Sequence, residues 1–142
     1  MISTTQGAKL TSPCAGCGGQ LVRDVGQFVE RGRLRWGVEA QCRDCADAWC
    51  ETGVGPAPQE IREALLTAHG PTRLLLADGE ASTVPVMRAL REQLPHLSPG
   101  EARRMAAELT EAGLVGTLVE MSRLAEGLRN RSVAVTVSPP PS

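Results

Sequence analysis

Hydrophobic positions recur with a period of two in the first third of the chain and with a period near 3.6 in most of the rest. Gln20 to Glu30 is rich in valine, carries Phe28 and reads as a strand; Glu30-Arg31-Gly32-Arg33 is the turn after it. Leu34, Trp36, Val38 and Ala40 then alternate with Arg33, Arg35, Glu39 and Gln41, the pattern of a strand with one buried and one wet face. Ala46 to Glu51 can form a third short strand. Residues 1–12 are polar and are expected to be a flexible N-terminus. Thr52-Gly53-Val54-Gly55-Pro56-Ala57-Pro58 is the clearest breaker, so a linker is expected over residues 53–58.

Beyond it the spacing turns helical. Ile61, Ala64, Leu65 and Ala68 share a face over Gln59–His69, and Gly70-Pro71 stops that helix. Arg73 to Ala77 reads as a short buried strand, and Asp78 to Ala81 as a loop. Val84, Met87, Leu90 and Leu94 recur over a helix from Thr83 to Leu94, with Pro85 tolerated in its first turn. Ser98-Pro99-Gly100-Glu101 spells a capping box before the stripe Ala102, Met105, Ala106 and Leu109, and Gly113 ends that helix. Leu114 to Val119 is strand-like. Glu120 to Arg129 forms a further helix, with Met121, Leu124, Ala125 and Leu128 inward. Val133 to Val137 is a closing strand, and residues 138–142 form a proline-rich flexible tail.

Cys14-x-x-Cys17 and Cys42-x-x-Cys45 are separated by 24 residues. Two such pairs can close a tetrahedron of thiolates around one Zn²⁺, with a hairpin running between them. The N-terminal sequence lacks the apolar run of a secretory leader, and no segment has the ~20 apolar residues of a membrane span. The expectation is therefore a cytoplasmic chain whose thiols stay reduced and bind metal. Residues 13–52 then resemble a four-cysteine zinc ribbon, with Gly16, Gly18 and Gly19 shaping the first knuckle. Cys50 is left over, and reads as a small buried residue of the third strand.

The 142 residues have room for one ordinary domain or two small ones. Phe28, Trp36 and Trp49 are the only aromatic residues, which argues against an aromatic-rich pocket. The net charge is −1, with six basic and six acidic residues before Pro58 and nine and ten after it. That is not the footprint of a nonspecific nucleic-acid binder. Neither a phosphate-cradling glycine loop nor a nucleophile elbow is present. His69 and His96 fall at helix ends or loops, and Asp44 and Asp47 solvate the second cysteine pair. Four sulfur ligands would leave no open position for a catalytic water, so the reading is not an enzyme.

From Thr72 to Val137 the order strand, helix, helix, strand, helix, strand is similar to the C-terminal domain of the bacterial ribosomal stalk protein. The resemblance rests on Val84-Pro85-Val86-Met87-Arg88-Ala89-Leu90-Arg91, the Leu97 to Arg103 run and Val133-Ala134-Val135-Thr136-Val137. It implies an α+β chain: an N-terminal zinc ribbon of three strands, then a small ribosomal-stalk-like βααβαβ domain over residues 59–137 with a leading helix. It also implies a partner-binding surface on the first two helices, at Val84, Arg88, Arg91 and Arg103, with the arginines meeting acidic patches. Glu92, Glu101 and Pro85 depart from the family's lysine-rich surface, and a ribbon replaces the stalk's dimerisation helix. The adaptor that delivers substrates to a Clp protease has the same fold, and Leu74-Leu75-Leu76-Ala77-Asp78 looks like its first strand and acidic loop. Its amine-capturing acid pair and histidine are not matched, because Gly79 follows Asp78 and Thr110 stands near the histidine's place.

Three functions compete. The first is a non-catalytic zinc-binding module that docks on a protein partner, as an adaptor or as an immunity protein covering a toxin. The second is a ribosome- or nucleic-acid-associated zinc protein using Arg31, Arg33 and Arg35, with Arg23 joining them. Trp36 alternates with these arginines and points away from them, against a stacking surface. The third is an enzyme with Cys50 as nucleophile, for which the sequence ties no base to the thiol.

Overall fold

A computed structural model describes residues 2–77 and 83–138. The loop expected at Asp78–Ala81 and the tail beyond Ser138 lie outside them. The chain divides into two compact units, Met1–Gly70 and Pro71–Ser142. It is an α+β protein whose N-terminal sheet is antiparallel.

The N-terminal unit holds four strands in sequential order: β1 (Ile2–Pro13), β2 (Gln20–Glu30), β3 (Arg33–Cys42) and β4 (Ala48–Val54). β1 is a correction to the sequence reading, which gave residues 1–12 no structure and the sheet three strands. It pairs with β2 along nearly its whole length, from Ile2↔Glu30 to Pro13↔Gln20. Between β2 and β3 the chain reverses in two residues, Arg31 at φ 53° and Gly32 at φ 76°. Two consecutive positive φ values match the right-handed twist of the flanking strands.

On one face of this sheet lie Val25, Val38, Ala8, Leu10 and Trp36. They pack against Ala57, Ile61, Ala64 and Leu65, the last three from α1 (Gln59–His69). The helix therefore belongs to the N-terminal unit, and the chain divides after Gly70 rather than over residues 53–58. Of the face that periodicity gave, Ile61, Ala64 and Leu65 close on the preceding sheet, while Ala68 is exposed. Two polar contacts hold it there, an Arg23–Glu60 ion pair and a 2.7 Å hydrogen bond between His69 Nε2 and the Gly7 carbonyl. The expected breaker at Thr52–Val54 is strand. Gly53 is tolerated there because the Trp36 indole lies over it from the neighbouring strand, where any side chain would collide with the ring.

In the C-terminal unit β5 (Thr72–Leu76) is followed by α2 (Thr83–Gln93), α3 (Pro99–Thr110), β6 (Leu114–Gly116), α4 (Leu118–Asn130) and β7 (Val135–Ser138). β5 is central in a three-stranded antiparallel sheet, with β6 and β7 at its sides. Leu74 on β5 packs with Leu90 and Val86 of α2, Ala102 and Leu109 of α3, and Leu124 and Leu128 of α4. Ser138, expected in the tail, is the last residue of β7.

Both long C-terminal helices start at complete capping boxes. Ser98 Oγ accepts from the Glu101 N–H at 3.1 Å while Glu101 accepts from the Ser98 N–H. The Ser98 N–H, and after it the Ser98 side chain, hold the Glu101 carboxyl below its ordinary range. The second box, Thr117 with Glu120, begins α4 where the sequence suggested strand to Val119. Thr117 is fully buried. Thr117→Ala is therefore expected to cost about 1–2 kcal/mol, read as a lower urea midpoint of the helical circular-dichroism signal.

Candidate metal centre

The four cysteines arrive from two knuckles at one end of the N-terminal sheet. Cys14 and Cys17 follow β1, Cys42 ends β3 and Cys45 follows it. Adjacent strands bring them together: the β2–β3 pairing reaches Leu21↔Cys42, and the Arg43 N–H bonds to the Gln20 carbonyl at 2.8 Å. Each knuckle is closed by its own backbone, Cys14 N–H to Gly19 O at 2.7 Å and Cys42 N–H to Asp47 O at 2.9 Å.

Their four sulfur atoms lie within 4.8 Å of one another. Cys14 Sγ is 3.8 Å from Cys45 Sγ, and Cys17 Sγ is 3.6 Å from Cys42 Sγ. A disulfide needs about 2.05 Å, so these thiols are free. A tetrahedron with metal–sulfur bonds of about 2.3 Å has edges of about 3.8 Å, so the donor set fits a tetrahedral thiophilic ion. Amides already point at the sulfurs: Gly19 to Cys17 at 3.3 Å, Asp44 to Cys42 at 3.3 Å and Asp47 to Cys45 at 3.5 Å. Such donors orient the ligands and spread the negative charge that would collect on four thiolates.

Asp44 and Asp47 do more than solvate. Each belongs to the second knuckle and reaches across to the first. Asp44 Oδ2 accepts from the Gln20 N–H at 2.8 Å, and Asp47 Oδ2 lies 3.4 Å from Cys14 Sγ. Gly16 and Gly19 make room for this, since a Cβ on either would run into the Asp47 or the Asp44 carboxylate. Only Gly18 of the three glycines takes a positive φ, 74°.

Neighbouring sulfurs and backbone amides set the thiols apart in acidity. The Asp44 N–H holds Cys42 down at about 7. At Cys45 the Asp47 N–H pulls the other way, but the Cys42 sulfur, burial and the other two cysteines push the thiol up to about 12. Metal loading must therefore expel protons, and affinity falls as pH falls. For two protons released, zinc affinity is expected to drop on the order of a hundredfold per pH unit; competition titrations at pH 6 and pH 8 with a chromophoric chelator measure it.

The other sequence-derived residues are placed apart from this centre. Val84, Arg88 and Arg91 form an exposed stripe along α2, and Arg103 is exposed on α3, which packs against α2. None of these arginines has an ion pair among the described residues. Cys50 is exposed on β4, not buried as expected. Arg23 does not join Arg33 and Arg35: it faces α1 and pairs with Glu60, whereas Arg35 faces the open side of the sheet and pairs with Glu30 at 2.8 Å. Among the described residues, no helix is long and apolar enough to cross a membrane. Comparison with known proteins finds no matching family model, curated protein or solved structure.

Proposed function

We propose that this chain is a non-catalytic zinc-binding protein-interaction module, an adaptor or a toxin-neutralising immunity-type protein, that docks on a partner protein. The observation that carries the reading is the all-sulfur cluster. Zinc suits soft thiolates in tetrahedral array, and four sulfurs leave no position for a water or substrate. The metal's work is then structural: it ties β1 to the β3–β4 hairpin. The N-terminal unit is read as a zinc ribbon extended by one strand and a helix.

The C-terminal unit is read as stalk-like, with the element order βααβαβ supporting that reading. Its docking surface is Val84, Arg88, Arg91 and Arg103. Val84 is 59% exposed, a large apolar residue beside guanidinium groups, which suits a partner with an acidic rim around an apolar contact. The ribosome- or nucleic-acid-associated alternative loses two of its four arginines to ion pairs with Glu60 and Glu30, on opposite faces of the sheet.

The test is capture of tagged chain from its native host, beside the variant Arg88→Glu/Arg91→Glu/Arg103→Glu. A protein partner held by the wild type and lost by the variant, with zinc content unchanged, is the expected result. Equal capture by both, or salt-sensitive capture of nucleic acid alone, would contradict it.

A further inference from the structure

The two edges of the N-terminal sheet are treated differently. At the β1 edge the outward groups belong to Thr5, Gly7, Lys9, Thr11 and Pro13, because their even-numbered neighbours bond to β2. That edge is blunted: His69 takes the Gly7 carbonyl, Lys9 places a charge on it, and Pro13 has no N–H. These are ordinary devices against strand addition.

At the β4 edge the blunting is weaker, its one charge being the acidic Glu51. The Gly55 N–H bonds to the Leu34 carbonyl at 2.7 Å, and the Cys42 N–H to the Asp47 carbonyl at 2.9 Å. Alternation in an antiparallel ladder then turns Trp49, Glu51 and Gly53 toward β3. It leaves the N–H and C=O groups of Ala48, Cys50, Thr52 and Val54 pointing outward. β4 contains no lysine, arginine or proline, and every residue but Gly53 is exposed. Trp49 and Val54 are 46% and 57% exposed on opposite faces.

Charge selects the occupant. Residues 39–54 carry Glu39, Asp44, Asp47 and Glu51 against Arg43 alone. Glu39 stands directly across from Cys50 on one face, and Glu51 lies on the other. Thiolates holding zinc would add further negative charge at the same end. A second copy of β4 would set two acidic patches against each other. An extended basic segment would neutralise one.

We propose that β4 takes an extended, lysine- or arginine-rich segment of a partner protein as a fifth strand, main chain to main chain at Cys50, Thr52 and Val54. This rests on the reading of the chain as a docking module and adds a second docking surface with partner chemistry of its own. Backbone pairing supplies the affinity, and Glu39 and Glu51 choose the sign of the incoming side chains.

The probe is a seven-residue peptide, Lys-Val-Arg-Val-Thr-Val-Lys, capped at both ends and added to the zinc-loaded full chain. Binding is followed by calorimetry and by amide hydrogen exchange. Protection of the Cys50, Thr52 and Val54 amides is expected, with affinity at least about tenfold weaker for three altered partners. These are the same peptide with glutamate for its basic residues, the same peptide N-methylated at alternate positions, and the protein variant Glu39→Lys/Glu51→Lys. Thr52→Pro is a fourth, since the Thr52 N–H is not spent on β3 and proline removes only the outward donor. Equal binding by the N-methylated peptide, or no protection of β4, would overturn the inference, as would β4 amides already protected by self-association. If β4 stays unprotected while capture depends on Arg88, Arg91 and Arg103, the docking-module reading stands and this inference alone falls.

Discussion

Replacing Cys42 with serine is expected to abolish metal binding and unfold the N-terminal sheet at room temperature. Cys42 is buried, ends β3 and accepts the Asp44 N–H, so its loss removes a buried, hydrogen-bonded sulfur from the cluster. The magnitudes favour collapse over partial loosening. Structural zinc sites contribute about 10–16 kcal/mol at neutral pH. The core beneath the sheet is small: Val25, Val38, Ala57, Ile61 and Leu65 form its buried cluster, and Val29, Leu34 and Ala40 are buried on the same face, the larger ones worth about 1.5–3 kcal/mol each before entropy is charged against them. β4 buries almost nothing and hangs between the second knuckle and the Trp36–Gly53 contact. Both tryptophans of the chain, Trp36 and Trp49, lie in this unit, so their fluorescence reports on it alone. Cys42→Ser and a strong chelator are expected to give the same red-shifted emission. Cys50→Ser, outside the cluster, is expected to leave both emission and zinc content unchanged. A Cys42→Ser protein with the wild-type denaturant midpoint would contradict this role for the metal.

The second large effect is expected at Leu74→Ala, at about 2–5 kcal/mol. Leu74 is fully buried at the centre of the three-stranded sheet, with β6 on one side and β7 on the other. It shares one buried cluster with residues of α2, α3 and α4, and α3 and α4 both pack on its strand, so the surroundings are held from more than one side. The cavity term is then near its full value. The readout is the urea midpoint of the helical circular-dichroism signal, because the C-terminal unit contains no tryptophan. Val84→Ala on the exposed stripe of α2 is the comparison, expected within about 0.5 kcal/mol of wild type. Equal midpoints for the two variants would show that the core is wrongly assigned.

The four-cysteine cluster was legible because Cys-x-x-Cys spacing encodes a local loop, and a knuckle needs nothing from the rest of the chain. The Ser98–Glu101 box was legible for the same reason. Thr117–Glu120 was overlooked because the apolar run from Leu114 to Val119 hides the cap inside a strand-like pattern. β1 was invisible for a physical reason: it is an edge strand, and among its described side chains Ala8 and Leu10 alone join the core cluster. Exposure of six of its seven residues likewise gave β4 no alternation to read. α1 had a clear apolar face, but amphipathicity states that a face is buried and not against what. The reach of Asp44 and Asp47 across to the first knuckle depends on a contact between segments more than twenty residues apart, which spacing does not encode.

Zinc content combined with X-ray absorption at the zinc edge, on protein purified without added chelator, is the most direct measurement. One zinc per chain with four sulfur neighbours at about 2.3 Å is the expected spectrum. A substoichiometric metal, an oxygen or nitrogen in its first coordination sphere, or free-thiol assays showing Cys14, Cys17, Cys42 and Cys45 oxidised to one another would contradict the structural centre on which everything else is built.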